Sequence, residues 1–220
     1  MPFKLLDAAI VDLDGTMVDT VGDFEVALGD ALHELGLPAV DRAFIARTVG
    51  KGSEHLLARC LAHLGADPAR LEALWQAYQR HYERINGQFA PVYPGVVEGL
   101  ARLRAAGLRL ACLTNKPTAF ARPLLQAKGL AQAFDFVFGG DAFARKKPDP
   151  LPLLATCARL ESSPSRTLMI GDSSNDAQAA RAAGCPVALA RYGYNHGESV
   201  DAVGADALFD RLDELEWPPR

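Results

Sequence analysis

The stretch AIVDLDGTMVDT ends an apolar run with two aspartates one residue apart, Asp12 and Asp14, followed by a glycine and a threonine. Two carboxylates that close repel each other, so a cation or a reaction has to justify them. Three more fragments carry related groups: LTNK with Thr114 and Asn115, KKPDP with Lys147, and GDSSND with Asp172 and Asp176. Together the four aspartates would make a hard, oxygen-rich site, which suits magnesium and suits zinc or copper poorly. The Thr114 hydroxyl, the Asn115 amide and the Lys147 ammonium fit an anionic oxygen substrate. Backbone N–H groups around Gly15 and Thr16 are expected to donate to phosphate oxygens as the chain turns. One carboxylate facing one phosphate charge at ~4 Å is repelled by roughly 4 kcal/mol at the effective dielectric of a protein surface. An aspartate nucleophile therefore needs positive help, and magnesium with Lys147 still leaves the set negative. Oriented backbone dipoles, or a proton held on Asp14, would offset the rest; that proton could then pass to a leaving alcohol.

These groups need a scaffold that brings them to one rim. LLDAAIVD, LRLACLTN, FDFVFGG, TLMIGD and CPVALA are short apolar runs ending in Gly, Asp or Asn, as strands buried on both faces would be. Between them VVEGLARLRAAG, AFARPLLQAKG and DAQAARAAG have helical periodicity and end at glycines suited to the left-handed position after a helix. Alternating strands and helices predict an α/β fold, a parallel, doubly wound, Rossmann-like core. Ligands bind such sheets beyond the carboxyl ends of the strands, which puts Asp12, Thr114, Gly139 and Asp172 along one rim.

The alternation is interrupted once. From Val18 to Gln88 there is helical periodicity and no convincing strand: Leu71, Leu74, Trp75, Tyr78 and Tyr82 share one face, as do Leu56, Leu57, Cys60, Leu61 and Leu64, with Ser53 expected as a cap. This predicts an inserted helical cap domain over 18–88 and a discontinuous core made of 1–17 and 89–220. The chain would return through APVYPG, a hinge stiffened by prolines. The aromatic and leucine stripes are expected as cap core, not as a cofactor pocket.

At 220 residues with a formal net charge of −4, the chain can bury one core with a smaller module attached, and it lacks the basic excess that nucleic-acid binding would need. Apolar runs are shorter than a membrane span, and acids stand where a signal peptide would continue. A cytoplasmic protein is expected, with no membrane or nucleic-acid partner, as a monomer or homodimer. Cys60, Cys112, Cys157 and Cys185 are scattered among alanine and leucine and are expected as buried free thiols. WPPR at the end is expected to fray.

Taken singly, DLDGT reads as easily as a strand end with a turn, and GDSSND as a capped helix start. It is their order along compatible strand ends that points to phosphoryl chemistry. DxDGT, a strand-end Thr-Asn, a Lys-Pro and GDxxxD in this order resemble the haloacid dehalogenase superfamily, and the helical insertion after the first motif is similar to its cap class one. LTNKP, KKPDP, GDSSNDAQAARAAGC and YGYNHGE resemble more closely its bacterial phosphoglycolate phosphatase branch. The resemblance implies a magnesium-dependent phosphatase in which Asp12 is the nucleophile that becomes an aspartyl-phosphate. Asp14 is implied as general acid and then base. Magnesium would be held by the side chains of Asp12 and Asp172 and the backbone carbonyl of Asp14. Thr114 and Lys147 match phosphate- and nucleophile-positioning groups, Asn115 assists, and Asp176 ligates metal-bound water or partners Lys147. An acid at Asp14 is what an ester substrate requires; dehalogenases of the family have none there.

RTVGKGSEH, from Arg47 to His55, is a glycine-bracketed loop at a helix start, where backbone N–H groups can meet an anion. Lys51 is accordingly a candidate for the carboxylate of a small acid, against a solvated lysine in a plain turn. His33, His63 and His81 are expected at the surface or in cap packing, and His196 in a rim loop. The substrate implied is 2-phosphoglycolate; the alternatives are a sugar phosphate, pyrophosphate, or a sugar phosphomutase of the same cap class. A signalling receiver domain would carry its phosphoacceptor after a middle strand and have no helical insertion; a catalytically dead binding protein of this fold would lack some of these groups.

Overall fold

A single sheet carries the chain, and each of its strands is short and fully or largely apolar. In the computed structural model, which describes residues 5–216, the strands are β1 (Ala8–Val11), β2 (Arg109–Leu113), β3 (Phe136–Phe138), β4 (Thr167–Gly171), β5 (Val187–Ala190) and β6 (Ala207–Phe209). They run parallel in the order β3-β2-β1-β4-β5-β6. The first five are the expected strands. The three-residue β6 was not among them; β5 supplies it with a partner edge. The WPPR terminus lies outside the described residues.

Alternation along the strands sends side chains into two separate cores. Ala9 and Val11 of β1, with Leu110, Cys112, Leu168 and Ile170, pack on one face of the sheet; Ala8 and Ile10, with Ala111, Leu113 and Met169, pack on the other. The covering helices are α5 (Val96–Ala105), α6 (Thr118–Ala127), α7 (Leu151–Arg159) and α8 (Ser174–Ala183). Gly107, Gly129 and Gly184 take positive φ where α5, α6 and α8 end, as the pattern predicts. No helix among the described residues is long and apolar enough to cross a membrane.

Between β1 and α5 the chain forms α1 (Val21–Glu34), α2 (Arg42–Thr48), α3 (Ser53–His63) and α4 (Leu71–Ile85). These helices have an apolar cluster of their own, centred on Leu28, Leu32, Leu56, Leu57, Leu74, Tyr78 and Tyr82, and Phe120 of α6 joins it. The stripe on α4 is thus core, as expected. Ser53 is the first residue of α3 and caps nothing; Gly52, at φ 92°, holds the cap position.

Two short connections tie this insert to the sheet. Val18 bridges Val92, the Tyr93 N–H donates to the Met17 carbonyl at 3.0 Å, and the Asp19 N–H donates to the Pro91 carbonyl at 2.9 Å. Asp23, fully buried on α1, accepts the N–H groups of Gly87 at 2.6 Å and Phe89 at 2.8 Å where the chain returns. A buried carboxylate is affordable there because backbone donors satisfy both its oxygens.

Candidate active site

The parallel sheet puts the chemical groups where β1, β2 and β4 end. Asp12 follows β1, Thr114 follows β2, Asp172 follows β4, and Lys147 reaches in from the loop before α7. Lys147 is 3% exposed. Its Nζ donates to Asp176 Oδ1 at 2.7 Å and to the Leu113 carbonyl at 2.9 Å. Asp12 Oδ1 lies 3.0 Å from the same Nζ but is not aligned to a hydrogen bond and has no other partner. Asp12, Asp172 and Asp176 bring carboxylate oxygens within 4.8 Å of one another, all three buried. The side chain of Asp14 is not part of that group.

Such a cluster strains its own ionisation. Burial pushes the Asp12 carboxyl up to about 7 against the pull of Lys147. Asp172 is raised well above the usual carboxylate range, by burial first and then by the charges of Asp176 and Asp12. Burial also works against the charge on Lys147, but Asp12 and Asp176 outweigh it and hold the amine above the usual lysine range. Asp176 spends its oxygens on the protein: Oδ1 takes Lys147, and Oδ2 accepts from the Ser173 N–H at 3.2 Å and the Ser173 hydroxyl at 2.9 Å. It braces the lysine and the start of α8. Asp172 Oδ1 accepts from Thr16 Oγ1 at 3.1 Å, and Oδ2 from the Tyr194 N–H at 2.8 Å.

The turn after Asp14 corrects one expectation. The N–H groups of Gly15 and Thr16 donate to the carbonyls of Val18 and Leu13, so they close the turn and are not free for a phosphate. Gly15, at φ 81°, is required twice over, because a Cβ there would also run into the Asp172 carboxylate.

Asp12, Asp14, Thr114 and Asn115 line a cavity between the rim and the insert. Phe24, Val49 and Leu56 give it apolar walls, and Gly50, Gly52 and Ser53 close it. At about 20 Å³ it has room for about one water molecule. The Thr114 hydroxyl accepts the Lys116 N–H at 3.2 Å and keeps its own hydrogen to donate. Asn115 is largely committed: its amide grips both the N–H and the carbonyl of Lys147, and donates to the Gly50 carbonyl at 2.9 Å. Asn175 donates to the same carbonyl at 3.2 Å. The loop of the insert is therefore latched to the rim through a single backbone oxygen.

Lys51 is not in this cavity. It is exposed and lines an outer cleft of about 500 Å³ with Arg47, His55, Arg59 and His196. The backbone between Gly50 and Gly52 turns the side chain outward while its glycines face the cavity. The sequence reading had not singled out Lys116, although it stands in the LTNK fragment. Lys116 is 3% exposed and its Nζ lies 3.1 Å from Asp14 Oδ1 and 2.6 Å from the Tyr82 hydroxyl. Tyr194, in YGYNHGE, is a second group not foreseen: its hydroxyl donates to Asp19 at 2.7 Å and accepts the Thr20 N–H, joining the hinge to the Asp172 loop.

A family model for haloacid dehalogenase-like hydrolases matches residues 6–184. The chain belongs to this family. Among curated members, the phosphoglycolate phosphatase of Nitrosospira multiformis is 45% identical over 218 residues, covering 97% of this chain and 96% of that one. That of Escherichia coli K12 is 34% identical over 232 aligned residues, covering 97% and 92%. The crystal structure of a predicted phosphoglycolate phosphatase from Haemophilus somnus superposes with a TM-score of 0.91 at 30% identity, covering 97% and 96%. This haloacid dehalogenase-like hydrolase is thus akin to phosphatases along nearly its whole length, insert included.

Proposed function

We propose that this phosphatase is a magnesium-dependent phosphomonoesterase that works through an aspartyl-phosphate on Asp12 and converts 2-phosphoglycolate to glycolate and phosphate. The observation that carries the mechanism is the buried triplet of carboxylates around Lys147, with one Asp12 oxygen lacking a hydrogen-bond partner. The substrate rests on the curated relatives.

The chemistry follows from the groups in place. An Asp12 carboxylate oxygen attacks phosphorus and the bond from phosphorus to the ester oxygen breaks. Asp14 gives its proton to the departing alkoxide, then takes a proton from the water that hydrolyses the aspartyl-phosphate. Lys147, anchored by Asp176 and by the backbone grip of Asn115, holds Asp12 in place and offsets charge as it develops. The Thr114 hydroxyl donates to a phosphate oxygen.

The donor set fits a divalent cation: all oxygen, buried, and short of positive charge. Asp12, Asp172 and the carbonyl of Asp14 would hold it. When bound, it offsets the phosphate charge that faces these carboxylates. Because burial raises the Asp12 carboxyl to about 7, protons compete with the cation. Apparent magnesium affinity is expected to climb as pH rises from about 6 to about 8, with protons released at the lower pH. Calorimetry in buffers of different ionisation enthalpy checks this, and affinity that is flat across that window would contradict it.

Residues 18–88 are proposed as a cap. A cavity with room for about one water molecule cannot admit a phosphate ester, so the insert has to lift on the hinge at Val18 and Val92 and close again to exclude water. The direct test of function is phosphate release, with magnesium and with chelator, over 2-phosphoglycolate, sugar phosphates, pyrophosphate and an aryl phosphate. Magnesium-dependent release with a strong preference for 2-phosphoglycolate is expected. Preference for another ester would remove the substrate assignment, and an isomerised sugar phosphate without free phosphate would remove the hydrolase mechanism.

A further inference from the structure

We propose that Lys116 is the receptor for the carboxylate of the substrate's leaving group. The inference rests on the reading of the substrate as the phosphate ester of a small hydroxy acid. Among the described residues, Lys116 is the one cation in the lining of the cavity between the rim and the insert. Burying an ammonium costs several kcal/mol unless partners repay it, and the fold has built partners for this one. Asp14 lies against it at 3.1 Å and the Tyr82 hydroxyl accepts from it at 2.6 Å. The rings of Phe24 and Tyr82 lie with their centroids 4.6 Å from Nζ. The insert thus reaches across from α1 and α4 to position a lysine that belongs to the rim.

An ammonium has three N–H donors: Tyr82 takes one, and Asp14 faces the others with both its oxygens, at 3.1 and 3.4 Å. The longer of these contacts is the one a ligand's carboxylate would replace. Lys147, the other buried lysine among the described residues, donates to Asp176 and the Leu113 carbonyl and is held against Asp12 at 3.0 Å. A substrate whose phosphorus meets Asp12 has its leaving group on the side of Asp14, two residues on, and Asp14 is already in contact with Lys116. A leaving group one carbon long would bring its carboxylate to that ammonium and its ester oxygen to Asp14. Phe24, Val49 and Leu56 are apolar walls, so Lys116 is the charged group in the lining that an anion can pair with, beside the polar groups of Ser53 and Thr114. Lys51, the candidate from sequence weighed against a solvated lysine, is in the outer cleft with Arg47 and Arg59.

The test compares 2-phosphoglycolate with ethyl phosphate, which replaces the carboxylate by a methyl group, in wild type, Lys116→Met and Lys51→Met. Wild type is expected to prefer 2-phosphoglycolate in kcat/KM by about 100-fold or more, as a site built to pair a polar group does. Lys116→Met is expected to erase most of that ratio, whatever it does to the absolute rates. A ratio kept in Lys116→Met while both rates fall together, or a ratio lost in Lys51→Met, overturns the assignment and leaves the substrate reading intact. A wild type without preference removes the substrate reading, and Lys116 as a receptor with it. Should Lys116→Met fail to fold, the wild-type protein crystallised with 3-phosphonopropionate, in which a methylene replaces the ester oxygen, decides the matter. A carboxylate on Lys116 Nζ upholds the proposal; a carboxylate turned toward Arg47 and Lys51 overturns it.

Discussion

Asp12→Asn is expected to lower kcat for phosphate release by about 10⁴-fold or more, the scale on which removal of a nucleophile acts, while leaving the fold intact. Asparagine has the shape of aspartate without its charge or nucleophilicity. The stability prediction has a definite sign. Burial raises the Asp12 carboxyl from its ordinary 3.8 to about 7, so at neutral pH and above the folded state holds a carboxylate that the unfolded chain ionises more easily. Without a cation, that ionisation counts against the fold at pH values above the ordinary carboxylate range. Replacing the acid by an amide removes the penalty, and Lys147 keeps Asp176 as its partner. The melting temperature of Asp12→Asn in chelator at neutral pH is expected to equal or exceed that of wild type. Substantial turnover in a pure preparation would move the nucleophile elsewhere; a melt well below wild type would make Asp12 a structural residue.

Lys147→Ala is expected to damage both chemistry and fold. The side chain holds Asp12 and Asp176 and donates to the end of β2. Its loss strands two buried carboxylates, a change that costs about 3–5 kcal/mol when one partner of a buried pair is removed. For a chain of this length that is a drop in melting temperature of about 10 °C. With Asp12 no longer held, and with charge on the transferring group no longer offset, kcat is expected to fall by about 10³-fold. Thermal melts and steady-state kinetics on the same preparation check both halves. A variant that melts like wild type would mean that the carboxylates find water or each other, and that Lys147 is not the keystone of the cluster.

Much of this site was legible before any coordinates. Asp12, Asp172 and Asp176 meet as the four-fragment order implied, because parallel strands connected by helices bring their carboxyl ends to one edge whatever the loops do. Asp176 was expected near Lys147 or the metal-bound water, and it lies 2.7 Å from Lys147. The helical run between β1 and α5 was legible from its period alone. The donors of the turn were misread: a nest of N–H groups looks the same in sequence whether it opens to a ligand or closes on the carbonyls of Val18 and Leu13. Of the two readings open for Lys51, the exposed side chain fits the solvated one, and the sequence left both open for a related reason. A loop bracketed by glycines has no periodicity from which to tell which of its side chains faces in.

The sequence by itself determined the strand order of the chemistry, the acid-rich character of the rim, and the presence of a helical insert just after Asp14. Those features are written in local runs, at spacings of two or about four residues, which one strand or one helix can express. Only the tertiary structure decided what the insert does to the rim. Helical period shows that Tyr82 has a buried face, but not that its hydroxyl meets Lys116, which is 34 residues away in the chain. Nor does it show that Asn115 and Asn175 converge on the carbonyl of Gly50. These contacts arise where one core closes over another, and that fit depends on the packing of two apolar clusters and not on the order of residues within either.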